Sequence, residues 1–84
     1  MSRPSKDERE AQELDARGLG SPRSVLRAHR TLSGMQPGQS LKVLTSEVHT
    51  LAEFQSLVKH VPGYELLSQE QVGSDYVHLL VRRR

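Results

Sequence analysis

The segment from Leu14 to Val25 constrains the fold of this chain more than any other stretch. It begins as a short strand and continues into a loop that Gly18 and Gly20 loosen. Ser21 and Pro22 then have the chemistry of a helix start, because a serine hydroxyl can accept from a free backbone N–H and proline is tolerated in the first turn. We therefore predict a strand, a tight loop and a helix in which Ser21 is the N-cap.

Two segments have the periodicity of amphipathic helices. From residue 22 to about residue 33 the apolar positions recur at i, i+3, i+4 and i+7, and His29 falls on this stripe, which we expect to be buried. Gly34 follows as a predicted left-handed cap. The second helix is predicted at about residues 51–60, directly after Thr50, which is a suitable N-cap.

Four segments are predicted to be strands, because they are short, bounded by turn residues and in part alternate between apolar and polar positions. They cover residues 12–16, 39–45, 64–72 and 75–82. A proline-glycine turn at residues 35–38 precedes the second strand, and Gly73 and Ser74 join the last two strands as a hairpin. In the last strand we expect the core-facing residues to be Val77, Leu79 and Val81. The open face of the sheet is expected to carry Lys42, Leu44 and His78.

The resulting order of elements is β-α-β-α-β-β. It predicts an α+β fold, a two-layer α/β sandwich with two helices on one face of a four-stranded mixed sheet. The 84 residues suffice for one such domain, which we assign to residues 12–84. Residues 1–11 are highly charged and lack large apolar side chains after Met1, so we predict a flexible N-terminal tail.

Cysteine is absent from the sequence, which excludes disulfides, thiolate metal sites and thiol nucleophiles. The four histidines, at positions 29, 49, 60 and 78, lack metal-ligand spacing, so we predict neither a metal nor a cofactor. No apolar run approaches the ~18 residues that a membrane span needs, and the first residues lack the apolar region of a secretory signal. We therefore expect a cytoplasmic protein. The net charge of +2 is too small to indicate nucleic-acid binding by itself.

The opening motif resembles the signature LD-x-x-GL-x-CP-x-P of the TusA-like (SirA-type) sulfur-carrier family. The matching residues are Leu14, Asp15, Gly18, Leu19 and Pro22. Further similar segments follow at residues 35–38, 63–67 and 81–83, so the resemblance covers residues 12–83. It implies the same order of helices and strands that the periodicity predicts.

The resemblance also implies where the chemistry of the family takes place, since a cysteine at the mouth of the first helix carries a persulfide. Here Ser21 stands at the cysteine position and Ser24 at the second proline position. At residues 46–48, Ser-Glu-Val replaces an acidic D-x-P-like segment. A serine hydroxyl cannot hold a sulfane sulfur, and a catalytic serine would need an adjacent base and an oxyanion hole. We therefore predict no catalytic residue and no enzyme activity.

Arg23, Arg27 and Arg30 form a basic stripe on the outward side of the first helix, next to its N-terminus. In a carrier-like domain such a face is where a partner protein would dock. The predicted binding residues are Arg17, Gly18, Ser21, Pro22, Arg23, Arg27 and Arg30. The favoured function is a non-enzymatic protein-interaction or regulatory module related to sulfur-relay carriers. Two alternatives stay open: a genuine sulfur carrier whose cysteine was artificially replaced by serine, and a small domain that binds RNA or another anion.

Overall fold

The computed structural model describes residues 5–84, and the first four residues of the predicted tail lie outside this range. The elements follow in this order: α1 (Lys6–Arg9), β1 (Gln12–Asp15), α2 (Arg23–Ser33), β2 (Ser40–Thr45), α3 (His49–His60), β3 (Tyr64–Val72) and β4 (Asp75–Arg82). The bounds of β3 and β4 are those that the sequence predicts.

The strands form one sheet in the order β1-β2-β4-β3. β1 runs parallel to β2, whereas β4 is antiparallel to both of its neighbours, so the sheet is mixed. The two longer helices, α2 and α3, share one hydrophobic core with the same face of this sheet. The prediction of an α+β two-layer sandwich with two helices on one face is therefore confirmed.

The core lies between the sheet and the two longer helices. Its large fully buried side chains come from both layers: Leu32 from α2, Phe54 from α3, Leu41 from β2 and Leu80 from β4. Burial of one such side chain stabilises a fold by roughly 1.5–3 kcal/mol. This core fixes the positions from which the loops of the candidate site extend.

The predicted tail contains a short helix, α1, that the sequence pattern did not predict. Ser5 caps α1, because its hydroxyl accepts a hydrogen bond from the Glu8 N–H at 3.2 Å. The Ser40 hydroxyl donates to the Asp7 carbonyl at 2.6 Å, which attaches α1 to β2. Since Ser40 alternates with the core residue Leu41, α1 lies on the sheet face opposite α2 and α3. The Ser-x-x-Glu pattern at residues 5–8 was the available signal, and the flexibility of the segment stays a prediction.

The predicted orientation of β4 is wrong. The register places Leu80 opposite Leu41 and His78 opposite Val43, so Leu80 and His78 face the helices. The residues predicted to face the core therefore lie on the other face, namely Val77, Leu79 and Val81. Leu79 and Val81 are nevertheless buried. The alternation along β4 does not decide its orientation, because apolar residues occupy both faces of the strand.

His78 is instead a fully buried core residue with partners for both ring nitrogens. Its ring stacks on Phe54 with the centroids 4.3 Å apart. The Gln69 side-chain nitrogen lies 3.0 Å from Nδ1, and an amide nitrogen can only donate, so Nδ1 accepts. The neutral ring then carries its proton on Nε2 and donates it to the Thr45 hydroxyl at 2.8 Å. Burial lowers the pKa of His78 to about 4.

The chain of hydrogen bonds continues from the core to the start of α3. The hydroxyls of Thr45 and Thr50 lie 2.8 Å apart, and Thr50 donates to the Glu47 carbonyl at 2.6 Å. Thr50 therefore does not cap α3, which begins at His49 with Val48 in the N-cap position. The prediction of a Thr50 cap is wrong because the hydroxyl is already used in this buried network.

The predicted left-handed cap at Gly34 is also wrong, since its φ is −92°. The guanidinium of Arg82 instead donates to the carbonyls of Ser33 and Met35 at 2.6 and 2.7 Å, so the end of α2 needs no left-handed cap. The predicted proline-glycine turn follows, at residues 36–39 rather than 35–38, and its features match a type II turn. Gln39 N–H donates to the Gln36 carbonyl at 3.1 Å, and Gly38 has a φ of +93°.

Candidate functional site

The candidate site is the loop of residues 16–22, which joins β1 to α2. Gly18 and Gly20 have φ angles of +84° and +73°, a region that other residues enter at a cost of roughly 1–2 kcal/mol. The Gly18 N–H donates to the Ser46 hydroxyl at 3.2 Å, which ties this loop to the connection between β2 and α3. The two glycines therefore have a conformational role in the turn.

Ser21 is not the N-cap of α2, so that prediction is wrong. The helix begins at Arg23, Pro22 occupies the N-cap position, and no side chain caps it. A cap at Ser21 would accept from the Ser24 N–H, but that group donates to the Gly20 carbonyl at 2.9 Å. The Ser21 hydroxyl is thus free to turn towards a different element.

Two carboxylates hold Ser21 from outside its own loop. The Ser21 hydroxyl donates to Oε2 of Glu53, which projects from α3. The Ser21 N–H donates to Oε2 of Glu47 at 3.2 Å. Oε1 of Glu47 also lies near Gly20, 3.5 Å from where a Cβ atom on that residue would stand. The loop is therefore fastened to α3 and to the segment before it.

Neither carboxylate is among the binding residues predicted from the sequence, although Glu47 lies in the Ser-Glu-Val segment at residues 46–48. No local pattern identifies Glu53, because it lies 32 residues after Ser21 and precedes the core residue Phe54 on α3. Its second oxygen, Oε1, is buried without a hydrogen-bond partner among residues 5–84. Only the packing of α2 beside α3 brings this carboxylate to the Ser21 hydroxyl.

The electrostatics at Ser21 favour a neutral hydrogen-bond donor. A helix start ordinarily favours an anion, such as a thiolate. Nearby carboxylates act in the opposite direction, because like charge disfavours the ionised form of an acidic group. Glu47 and Glu53 are therefore well placed to accept hydrogen bonds from the neutral groups of Ser21.

Arg17 belongs to a separate ion-pair cluster. Its guanidinium lies 2.7 Å from a carboxylate oxygen of Asp15 and 3.2 Å from one of Asp75. Hydrogen bonds from Arg17 lower the pKa of Asp15 to about 2. Arg17 is thus engaged with acidic partners and is not among the residues that line the groove on α2. Its predicted role in binding stays a prediction.

The basic stripe on α2 borders an open groove of about 170 Å³. The groove is lined by Leu19, Arg23, Leu26, Arg27 and Arg30. Leu26 is 60% exposed and gives the groove an exposed apolar residue between the arginines. The ion pairs found among residues 5–84 involve Arg17 and Arg83, so the three groove arginines have no carboxylate partner in this part of the chain.

The predicted binding residues thus fall into three places. Gly18, Ser21 and Pro22 lie in the loop, Arg23, Arg27 and Arg30 lie along the groove, and Arg17 lies in its ion-pair cluster. Within residues 5–84 no group of three or more histidine or acidic side chains could hold a metal ion. In the same range no helix is long and apolar enough to cross a membrane.

Comparison with known proteins identifies the class to which this fold and loop belong. The family model described as Sulfurtransferase TusA matches residues 12–83. The chain therefore belongs to the TusA family, which confirms the resemblance seen in the motif. Among its relatives is Sulfur carrier protein TusA of Allochromatium vinosum, 36% identical over 72 residues that cover 86% of this chain and 92% of the relative.

Proposed function

We propose that this chain is a non-enzymatic member of the TusA family, a cytoplasmic protein-interaction or regulatory module that carries no sulfur. The environment of Ser21 is the observation that supports this proposal. Where the family pattern has its cysteine, the hydroxyl and the N–H of Ser21 donate to the carboxylates of Glu53 and Glu47. This arrangement uses both polar groups of Ser21 to hold the loop, and no cysteine elsewhere in the 84 residues could carry a persulfide instead.

The groove on α2 is the proposed docking surface for a partner protein. It adjoins the loop through Leu19 and presents the exposed Leu26 between arginines. An apolar centre with a charged rim is typical of protein interfaces. Single-stranded RNA would instead need aromatic side chains for base stacking, and the groove lining has none. A partner protein is therefore favoured over the RNA alternative.

Site-specific photo-crosslinking in the native host tests this function. A photoreactive amino acid replaces Leu26 in the groove or, as a control, Ser74 at the exposed tip of the β3–β4 hairpin. We expect a discrete adduct with another protein from position 26 and none from position 74. Adducts from neither position, or equal adducts from both, would refute docking at the groove.

A charge variant shows whether the adduct depends on the arginines. The basic stripe fits an acidic surface on the partner. Arg27→Glu, made together with the crosslinker at position 26, would place a like charge opposite that surface and should therefore abolish most of the adduct. Arg84→Glu changes the net charge equally at the exposed C-terminus and should leave the adduct intact. An adduct that both changes leave unaltered would contradict a role for the basic stripe.

A further inference from the structure

The face of the sheet opposite α2 and α3 has a charge pattern that complements the groove. One row across the sheet contains, in neighbouring register positions, Glu13, Lys42, Leu79 and Ser68. The next row contains Asp15, Leu44, Val77 and Glu70. The edges of these rows are mainly acidic, and the centre combines the half-buried apolar pair Leu44 and Val77 with Lys42 and the buried Leu79.

Glu8 of α1 adds a further carboxylate beside this apolar centre. Together with Glu70 and Lys42 it lines a shallow depression whose floor contains Val77 and Leu79. Lys42 is the one cation in this depression. In residues 5–84 neither Glu8, Glu13 nor Glu70 forms an ion pair. α1 also carries Lys6 and Arg9 on this side, but the depression itself is bordered by two carboxylates and one cation around a small apolar patch.

The helical side of the molecule has the opposite sign. α2 carries three arginines and no carboxylate, and Lys59 is exposed on the neighbouring α3. Leu26 gives this side an exposed apolar centre of its own. The domain therefore has two contrasting faces on opposite sides. The α2 face is basic and has Leu26 at its centre, and the sheet face has acidic edges and has Val77 and Leu44 near its centre.

We propose that the open sheet face of one copy binds the α2 face of a second copy, head to tail. Leu26 would lie over Val77 and Leu44, while the groove arginines would face the acidic edges that include Glu13 and Glu70. The two contacting surfaces differ, so the contact is heterologous and leaves one unused face at each end of a pair. Longer stacks can therefore form as the protein concentration rises.

Self-association of this kind goes beyond the docking of a different protein, because it assigns a role to the sheet face as well. It also limits access to the groove, since each contact covers the α2 face of one copy. Only the terminal copy of a stack would keep that face available for a partner.

Two charge reversals test the head-to-tail geometry. Arg27→Glu damages the α2 face and leaves the sheet face intact, whereas Glu70→Lys does the reverse. We expect the wild-type mass in sedimentation equilibrium to rise with concentration at low salt, where exposed charges are least screened. Each variant alone should weaken self-association by about tenfold or more. An equimolar mixture of the two should recover association, because the intact sheet face of Arg27→Glu can bind the intact α2 face of Glu70→Lys.

The mixture discriminates head-to-tail binding from a symmetric dimer. In NMR spectra of labelled Arg27→Glu with unlabelled Glu70→Lys, amide shifts should be largest on the sheet face, including Val77. With the labels exchanged, they should be largest on α2, including Leu26, whereas a symmetric dimer would shift the same face in both experiments. Arg84→Glu controls for net charge and should associate like the wild type, and circular dichroism verifies that every variant is folded.

Two results would overturn the proposal. One is a wild-type protein that stays at its monomer mass at every concentration at low salt. The other is an equimolar mixture of Arg27→Glu and Glu70→Lys that associates no more strongly than either variant alone. Neither result affects the docking of a different protein at the groove, which the crosslinks from position 26 test separately.

Discussion

The buried His78 predicts a loss of stability between neutral and mildly acidic pH. Its ordinary pKa of 6.5 applies in the unfolded chain, whereas burial lowers the value to about 4 in the folded protein. Between these pH values the unfolded chain binds more protons than the folded one, so acidification favours unfolding. The contribution of His78 is fully present above pH 6.5, falls as the pH drops, and is lost near pH 4.

The magnitude follows from the shift in pKa. Each unit corresponds to about 1.4 kcal/mol, so the displacement from 6.5 to about 4 is worth roughly 3–4 kcal/mol of unfolding free energy. A domain of this size has only roughly 5–15 kcal/mol in total, so the loss is a large fraction of its stability. Asp15 acts at lower pH, since its pKa of about 2 keeps its ion pair with Arg17 formed until the solution is strongly acidic.

Urea denaturation at a series of pH values measures this effect. The wild type should lose about 1.4 kcal/mol per pH unit below pH 6.5 from His78 alone. His78→Gln keeps a hydrogen-bonding side chain without a titrating ring, so this slope should disappear. His60→Gln, at an exposed position on α3, serves as the matched control and should retain the slope. An identical slope in the wild type and in His78→Gln would refute the reasoning, as would an NMR titration of His78 near pH 6.5.

Three substitutions test other parts of the structure. Ser21→Cys should give a thiol pKa at or above the ordinary ~8.5, because Glu47 and Glu53 oppose the thiolate; thiolate absorbance measures it, and a clearly lower value would contradict the loop geometry. Gly20→Ala should reduce the free energy of unfolding by about 1–2 kcal/mol in urea denaturation, owing to its left-handed backbone. Phe54→Ala should cost about 3–5 kcal/mol in the same assay, since the ring is fully buried, and a loss below about 1 kcal/mol would refute its place in the core.

Much of the fold was predictable because its signals are local. The bounds of β3 and β4 follow from alternation and from the turn at Gly73, which has a φ of +63°. The turn at Gln36–Gln39 follows from its proline and glycine. The face of β4 was not predictable in the same way, because apolar residues occupy both sides of that strand. The register that places Leu80 of β4 opposite Leu41 of β2 determines which residues face the helices, and this register depends on the whole sheet.

The candidate site was only half predictable. Its basic stripe could be read from the spacing of the arginines on one helix, but the partners of Ser21 could not. Glu53 reaches the hydroxyl because α2 and α3 pack side by side, and Glu47 reaches the N–H through the β2–α3 connection. Local chemistry favours a serine as helix cap, and the long-range contacts with these carboxylates override it.

Intact-mass spectrometry after exposure to a sulfur donor tests the central claim most directly. The protein is incubated with a cysteine desulfurase and cysteine, and Sulfur carrier protein TusA of Allochromatium vinosum is treated in parallel as the positive control. Our account predicts that this chain keeps its original mass while the control gains sulfur. A stable adduct of one sulfur atom on this chain would contradict it.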